Sequence, residues 1–253
     1  MIPASVFIIC LNEEKHIKRT LEAIKEFDDI VIVDSGSTDN TLDIARLYTD
    51  KIFYKSFSDY ASQKEYAKSL CSHEWVLNID ADERLSDELK NEIVKTIQNN
   101  DTDALEVSIV SLYMNSFNTL TKPITRIRFF KKSMGFYPQK LVHESIKFSG
   151  RVRKTSTLLY DYGSNSITTH INKINNYSSL RAQEKFLKQK RSNTVKLLFI
   201  IPLVFFKSYF IRRNFLNGKR GFIAAISNAF YAFLKEAKLY ELELQGEQNP
   251  PCS

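Results

Sequence analysis

Trp75-Val76-Leu77-Asn78-Ile79-Asp80-Ala81-Asp82-Glu83-Arg84 is an apolar stretch that ends abruptly in acidic residues. The pattern is expected of a buried strand that carries carboxylates to its C-terminal edge, where open α/β sheets hold their ligands. Upstream, Ala4 to Leu11 is a β-branched and apolar run suited to a parallel strand covered on both faces. Asn12 can cap a following helix, Glu13 and Glu14 suit its positive end, and Ile17, Leu21 and Ile24 recur on one side. Ile30 to Val33 reads as a second strand, then the polar turn Asp34-Ser35-Gly36-Ser37-Thr38-Asp39 and a helix with Leu42, Ala45 and Tyr48. A third strand, Lys51 to Tyr54, and a helix, Tyr60 to Leu70, bring the chain to Trp75. This alternation predicts βαβ units, hence an α/β fold with a mostly parallel sheet and helices on both faces.

Beyond Arg84 the pattern changes. Ser86 to Ile97 is helical, but Ala104 to Val110, Ile127 to Phe130, Ile146 to Phe148 and Thr157 to Tyr160 are strand candidates without long helices between them. They predict a mixed or antiparallel extension able to hold a second substrate. From about Ser178 the chain turns helical and basic. Lys185, Lys188, Lys190, Arg191 and Lys196 precede the apolar run Leu197 to Phe206, and Lys207, Arg212, Arg213, Lys219 and Arg220 follow it. That run is about half of the roughly 20 residues that span a bilayer, and it contains Pro202. Lying in an anionic membrane interface is therefore expected rather than crossing it. A helical hairpin covering the sheet is the alternative. A last helix, Phe222 to Tyr240, follows a turn at Asn217-Gly218. The expected division is a catalytic domain over 1–173 and a basic, amphipathic helical region over 174–253.

With 253 residues and 43% hydrophobic content, the chain can bury a sizeable core, which excludes disorder over most of its length. The net charge of +7 suggests acidic partners, namely nucleic acid, anionic lipid or phosphorylated substrates. No aromatic-basic platform or groove-reading motif accompanies the charge, so no nucleic-acid partner is expected. Cys10, Cys71 and Cys252 have neither paired nor metal-ligand spacing, and the N-terminal apolar run is too short for a signal peptide. Both point to a reduced, cytoplasmic setting.

Asp80 and Asp82, one residue apart, can share a divalent cation directly or through water if the chain turns at Ala81. An acidic pair at a strand end is also what a helix cap or solvated loop looks like. The topology decides between them, because Asn12-Glu13-Glu14 and Asp34-Ser35-Gly36-Ser37-Thr38-Asp39 should reach the same sheet edge. Through these stretches and Asp80-Ala81-Asp82-Glu83-Arg84 the sequence resembles the inverting glycosyltransferases of family two, with their Rossmann-like GT-A fold. Val142-His143-Glu144, Asn176-Tyr177-Ser178, Phe230-Tyr231-Ala232-Phe233-Leu234-Lys235 and Ala237-Lys238-Leu239 are similar to a narrower group, the lipopolysaccharide-core β-glucosyltransferases that modify inner-core heptose.

The resemblance implies a UDP-sugar donor, UDP-glucose by the narrower likeness, a divalent metal (Mn²⁺ or Mg²⁺), and a lipid-linked saccharide acceptor at the inner face of the bacterial inner membrane. It implies that Glu13 and Asp34, with Asn12, Ser35 and Gly36 beside them, contact the nucleoside. Asp80 would lie toward ribose and metal, Asp82 would bind the metal, and Lys64 would stand near the diphosphate, although a solvated helix lysine has the same signature. Inversion needs a base for the acceptor hydroxyl. The resemblance gives that role to Glu144, with Asp87, Glu88 and Asp161 as alternatives. His143 would orient the acceptor or ligate the metal, and His170 matches a family histidine that precedes the Asn-Tyr-Ser step. Arg126 and Arg128 are expected to bind acceptor phosphates or carboxylates from one strand face, as alternate strand residues do. A solvated basic edge strand is the competing view. Here the strand Ile124-Thr125-Arg126-Ile127-Arg128-Phe129-Phe130-Lys131 is more basic than the family pattern.

Overall fold

A computed structural model describes residues 1–117, 120–138, 146–163 and 166–248. The elements in chain order are β1 (Ile2–Cys10), α1 (Ile17–Ile24), β2 (Phe27–Asp34), α2 (Thr41–Ala45), β3 (Ile52–Tyr54), α3 (Tyr60–Ser69) and β4 (Trp75–Asn78). Then come β5 (Glu83–Leu85), α4 (Asp87–Asn99), β6 (Ala104–Tyr113), β7 (Ser116–Phe117), β8 (Ile124–Lys131), β9 (Gly135–Phe136), β10 (Lys147–Phe148) and β11 (Val152–Asp161). The last helices are α5 (Ile167–Leu187), α6 (Thr194–Phe206) and α7 (Gly218–Gln248). The chain divides into two compact units, Met1–Leu112 with Pro123–Gly163, and Tyr113–Lys122 with Ser164–Ser253.

In the first unit the strand order is β3-β2-β1-β4-β8-β6-β11-β5. β3, β2, β1 and β4 are mutually parallel, and β8 joins antiparallel to both β4 and β6. The predicted parallel half and mixed extension are both present. Alternate residues of each strand point to opposite faces, so each face has its own core. Val6, Ile8, Ile30, Ile32 and Leu77 pack with Ile17, Leu21 and Ile24 of α1 and Leu89 and Ile93 of α4. Phe7, Val31, Val33 and Val76 pack with Ala61 and Ala67 of α3 on the other. Cys10 and Cys71 are free and buried.

β5 was not predicted: it lies within the acidic stretch itself and pairs antiparallel with β11. Asn12 does not cap α1, whose N-cap is His16 without a side-chain bond. Asn12 instead takes a left-handed conformation, φ 56°.

In the second unit α5 begins at Ile167, earlier than the basic pattern suggested, and α7 packs against both α5 and α6. His170 lies in α5 with its ring edge-on to Tyr113, centroids 5.2 Å apart. The Asn-Tyr-Ser and Ala-Lys-Leu motifs meet here. The Lys238 ammonium donates to the Asn175 carbonyl at 2.7 Å and to the Ser178 and Ser179 hydroxyls at 2.9 and 2.7 Å, clamping α7 to α5. Charge is buried between these helices: Glu236 is 1% exposed and pairs with Lys185 and, at 3.0 Å, with Lys196. The apolar side chains face outward, with Leu198 69%, Leu203 67% and Phe206 57% exposed. The helical path of α6 continues through a π-helical turn, Lys207–Ile211. Thr194–Ile211 thus forms an 18-residue segment of mean hydropathy 1.8, long and apolar enough by length and composition to cross a membrane. The sequence run alone had looked too short.

Candidate active site

The loops after β1 and β2 are stitched together by hydrogen bonds. Asn12 N–H donates to Ser37 Oγ (2.9 Å), Thr38 N–H to Asn12 Oδ1 (2.8 Å), and Glu13 N–H to Thr41 Oγ1 (2.7 Å). The left-handed turn at Asn12 aims its side chain at this second loop. Asp34, buried at the end of β2, accepts from the Gly36 and Ser37 amides at 2.8 and 2.9 Å and from Ser37 Oγ at 2.5 Å. Gly36 allows that return with φ 108°, a conformation nearly closed to residues with a Cβ. Ser35 Oγ accepts from Gln63 Nε2 of α3 at 2.8 Å. Asp34 therefore shapes its own loop, an arrangement that uses three of its acceptor positions. Gln63 escaped the sequence reading because a polar residue on a helix carries no sign of what it faces.

The acidic stretch is held from both sides. Thr20 Oγ1 of α1 reaches the Ala81 and Glu83 carbonyls at 2.8 and 2.7 Å. Across the sheet, Arg128 donates to Asn78 Oδ1 at 2.7 Å, Asp80 Oδ2 at 3.0 Å and Glu83 Oε1 at 2.6 Å. Lys64 of α3, itself buried, lies 3.1 Å from Asp80 Oδ1. Glu83 Oε2 accepts from the Asp80 amide at 2.9 Å, and Asn78 Nδ2 donates to Tyr137 Oη at 2.9 Å. Lys64 is not a solvated helix lysine.

Burial works against ionisation of Asp80, but the charges of Arg128 and Lys64 prevail and hold its carboxyl well below the usual range. Glu83 shifts the other way. Burial, with the neighbouring Asp80 and Asp82 carboxylates, outweighs its share of Arg128 and raises it.

Arg126 and Arg128 were expected on one face, and this is corrected by a β-bulge. Leu105 pairs with Phe129 but Glu106 with Ile127, so Arg128 is left over in the β8–β6 register. Two consecutive residues, Ile127 and Arg128, then turn toward the side of Tyr137, while Arg126 opposes Val107 on the other. Arg126 is exposed, and its guanidinium donates to the carbonyl of its neighbour Thr125 at 2.9 Å. Arg128 is 8% exposed and committed to internal carboxylates, so an acceptor-binding role for it is withdrawn.

Asp82 is half-buried against β11, and its carbonyl accepts from the Tyr162 amide at 2.9 Å. A Cβ on Gly163 would fall 1.8 Å from Asp82 Oδ2, so only glycine leaves room for this carboxylate. A hard divalent cation takes carboxylate oxygen, and both Asp80 oxygens are already met by the cationic side chains of Lys64 and Arg128. Among the described residues no group of three or more His, Cys, Asp or Glu side chains is placed to hold a metal ion. His143 and Glu144 lie outside the described residues. Of the alternative bases, Asp87 and Glu88 are exposed in the first turn of α4, and Asp161 accepts from Ser111 Oγ and the Gly163 amide, both at 2.8 Å.

Three loops from the carboxyl ends of β1, β2 and β4 thus converge on one edge. The model of the family described as glycosyl transferase family 2 matches residues 5–159. The chain belongs to glycosyl transferase family 2. This glycosyltransferase is 34% identical over 251 residues to the lipopolysaccharide core biosynthesis glycosyltransferase LpsC of Rhizobium meliloti, covering 95% of this chain and 93% of that one. It is also 34% identical to an uncharacterised glycosyltransferase of Rickettsia typhi, covering 96% of this chain and 88% of the relative. Among solved structures, S. aureus TarS 1–349 in complex with UDP-GlcNAc superposes with a TM-score of 0.50 at 14% identity, over 97% of this chain and 91% of that one. That likeness is one of fold, and the fold is GT-A.

Proposed function

We propose that this glycosyltransferase moves a hexose, glucose from UDP-glucose, onto a lipid-linked saccharide such as lipopolysaccharide inner-core heptose, with inversion. The observation that carries the reading is the convergence of the Asn12–Glu14, Asp34–Thr38 and Asp80–Glu83 loops on one sheet edge, in a chain related over almost its whole length to a lipopolysaccharide core glycosyltransferase.

In this reading Glu13 and the Asp34 loop receive the nucleoside, through carboxylate oxygens. Lys64 and Arg128 fix Asp80, and Asp82 holds a divalent cation, Mn²⁺ or Mg²⁺, whose charge offsets that of the departing diphosphate. Glu144 takes the proton of the acceptor hydroxyl as it attacks the anomeric carbon from the side opposite the nucleotide, and the C–O bond to the diphosphate breaks. His143 and Arg126 are assigned to the acceptor. The second unit lies on the inner face of an anionic membrane. An interfacial rather than crossing position is supported by Lys207 and Pro202 within the apolar segment and by Arg212, Arg213, Lys219 and Arg220 at its far end.

Thermal shift with UDP and GDP, with and without Mn²⁺, tests the donor, since a ligand that binds only the native state raises apparent stability. A shift with UDP alone is expected. Asp82→Ala and Glu144→Gln should each abolish transfer from UDP-glucose without unfolding the protein, and UDP binding should survive Glu144→Gln. Normal turnover of that variant removes Glu144 as the base.

A further inference from the structure

Outside the convergent loops, α1 and β5 enclose a groove of about 520 Å³ lined by Lys15, Lys18, Arg19, Arg84 and Lys90, with Glu22 and Asp87 as its carboxylates. We infer that this groove is a binding subsite for phosphoryl groups, carried by a phosphorylated saccharide or by an anionic lipid headgroup.

Helical spacing puts Lys18, Arg19 and Glu22 on the side of α1 opposite its buried Ile17, Leu21 and Ile24, and Lys15 stands in the turn that leads into the helix. A merely solvated helix face would pair Lys18 with Glu22 one turn on. Here Glu22, at the groove's rim, hydrogen-bonds elsewhere, accepting from Tyr48 Oη at 2.6 Å and Lys25 Nζ at 3.0 Å, and feels Lys18 only through its charge. Lys90 is answered by Glu26 at 2.7 Å. Asp87 belongs to the first turn of α4, where it complements the helix dipole. Among the described residues the side chains of Lys15, Lys18 and Arg84 have no hydrogen-bonding or ion-pair partner. The groove thus keeps a cationic surplus that its own carboxylates do not discharge.

Two features give that surplus a shape. The Arg19 guanidinium rests over the Tyr162 ring, 4.1 Å from its centroid, so part of its ordering cost is met before any ligand arrives. Arg84 projects from β5, where strand pairing to β11 fixes its backbone. One guanidinium fork held over an aromatic ring, with Arg84 and the lysine point charges beside it, matches the several oxygens of a phosphoryl group better than a single carboxylate. The apolar lining is limited to Ala23 and Leu85, which disfavours a hydrophobic ligand.

The subsite adjoins the acidic loop. Arg84 is two residues past Asp82, and Thr20 ties the same helix to the Ala81 and Glu83 carbonyls. The placement suits a second contact for a phosphorylated acceptor, although the inference does not depend on the donor or acceptor named above.

The test titrates the full chain with glucose 6-phosphate, with glucose as uncharged control, and with phosphatidylglycerol vesicles against phosphatidylcholine vesicles. Binding is followed by calorimetry and vesicle co-sedimentation in saturating UDP. Glucose 6-phosphate is expected to bind and glucose not, with affinity falling as salt rises. Lys18→Glu/Arg84→Glu should lower that affinity at least tenfold while leaving the melting temperature and the UDP-induced shift as in wild type. Lys18→Arg/Arg84→Lys, which keeps the charge, should retain most of the binding. If the soluble ester binds, the source is a phosphorylated saccharide. If only phosphatidylglycerol vesicles bind, and lose binding in the charge-reversed variant, it is a headgroup. Equal affinity of wild type and charge-reversed protein for both probes, or binding of neither by wild type, overturns the subsite. Absence of a UDP shift would overturn the donor assignment instead and leave the groove result standing.

Discussion

The two units of this glycosyltransferase distribute polarity in opposite ways. In the first, apolar strands and helices are sealed on both sides of a sheet, and buried charge is concentrated where Lys64, Asp80, Glu83 and Arg128 meet. In the second, Glu236 and Glu243 are buried between helices, while Leu198, Leu203 and Phe206 face outward. A buried charge costs several kcal/mol unless paired, and an exposed apolar face gains nothing from water. Each departure from the ordinary arrangement therefore needs its own explanation. In the first unit it is a carboxylate held ionised at a ligand edge; in the second it is a surface suited to something other than water.

Arg128→Leu attacks this difference with the largest expected effect. It leaves Asp80 with Lys64 alone and Glu83 without a cation. Removing one partner of a buried pair costs about 3–5 kcal/mol, and the lower end applies because Glu83, raised to about 8, already holds a proton at neutral pH and leaves no bare carboxylate behind. Urea denaturation should show that loss, and transfer should fall at least about tenfold even at temperatures where the variant is folded, as expected for roughly 1.4 kcal/mol of lost transition-state stabilisation. Unchanged stability would mean that the cluster is not the first unit's organising contact.

Gly163→Ala should have a smaller effect on stability, about 1–3 kcal/mol for an overpacked site, but one aimed at function. The added carbon would displace the Asp82 carboxylate, so transfer should fall more steeply than the thermal midpoint. A variant with full activity would detach Asp82 from the chemistry.

Most of this architecture was legible in the sequence, and the reason differs by region. β1, β2 and β4 are buried on both faces, so their residues had to be continuously apolar, and the polar loops after them were conspicuous. The bulge at Arg128 was not legible, because register depends on how β6 and β8 meet and not on either strand alone. A trace of it was present: an arginine between Ile127 and Phe129 in an apolar strand needs a buried partner, and Glu83 stood unassigned in the acidic stretch. β5 is three residues long and carries no period of its own. In the second unit the exposed apolar segment was recognisable, but its length was not, since the helix continues through Lys207 where a composition count stops.

Titration separates the two carboxylates of the cluster. Glu83 is raised from an ordinary 4.5 to about 8, so the native state holds its proton more tightly than the unfolded chain. Its contribution is complete below the unfolded value and is lost as pH climbs toward the folded one. Asp80, held low, contributes above its ordinary 3.8 and loses that contribution only as pH falls below it. Between about pH 4.5 and 8 the wild type should lose stability with rising pH, and Glu83→Gln should flatten that slope when denaturant midpoints are compared. An unchanged slope would assign it to another group.

The outward face of the second unit should show the smallest stability effect and the clearest functional one. Leu198→Ser, Leu203→Ser and Phe206→Ser combined remove side chains that are 69%, 67% and 57% exposed, so little burial is lost within the protein. Their combined cost should stay within about 1.5 kcal/mol, since surface substitutions rarely exceed half a kcal/mol each. Burying the same side chains in the headgroup region would stabilise a membrane-bound state through apolar area, to which Arg212, Arg213, Lys219 and Arg220 add attraction for anionic lipid. Co-sedimentation with phosphatidylglycerol vesicles should therefore drop by tenfold or more in the triple variant, a loss of roughly 1.4 kcal/mol. Transfer to a soluble acceptor fragment should persist. If the variant instead loses stability and keeps its vesicle binding, the face is an internal packing surface, and the contrast between the two units is one of degree.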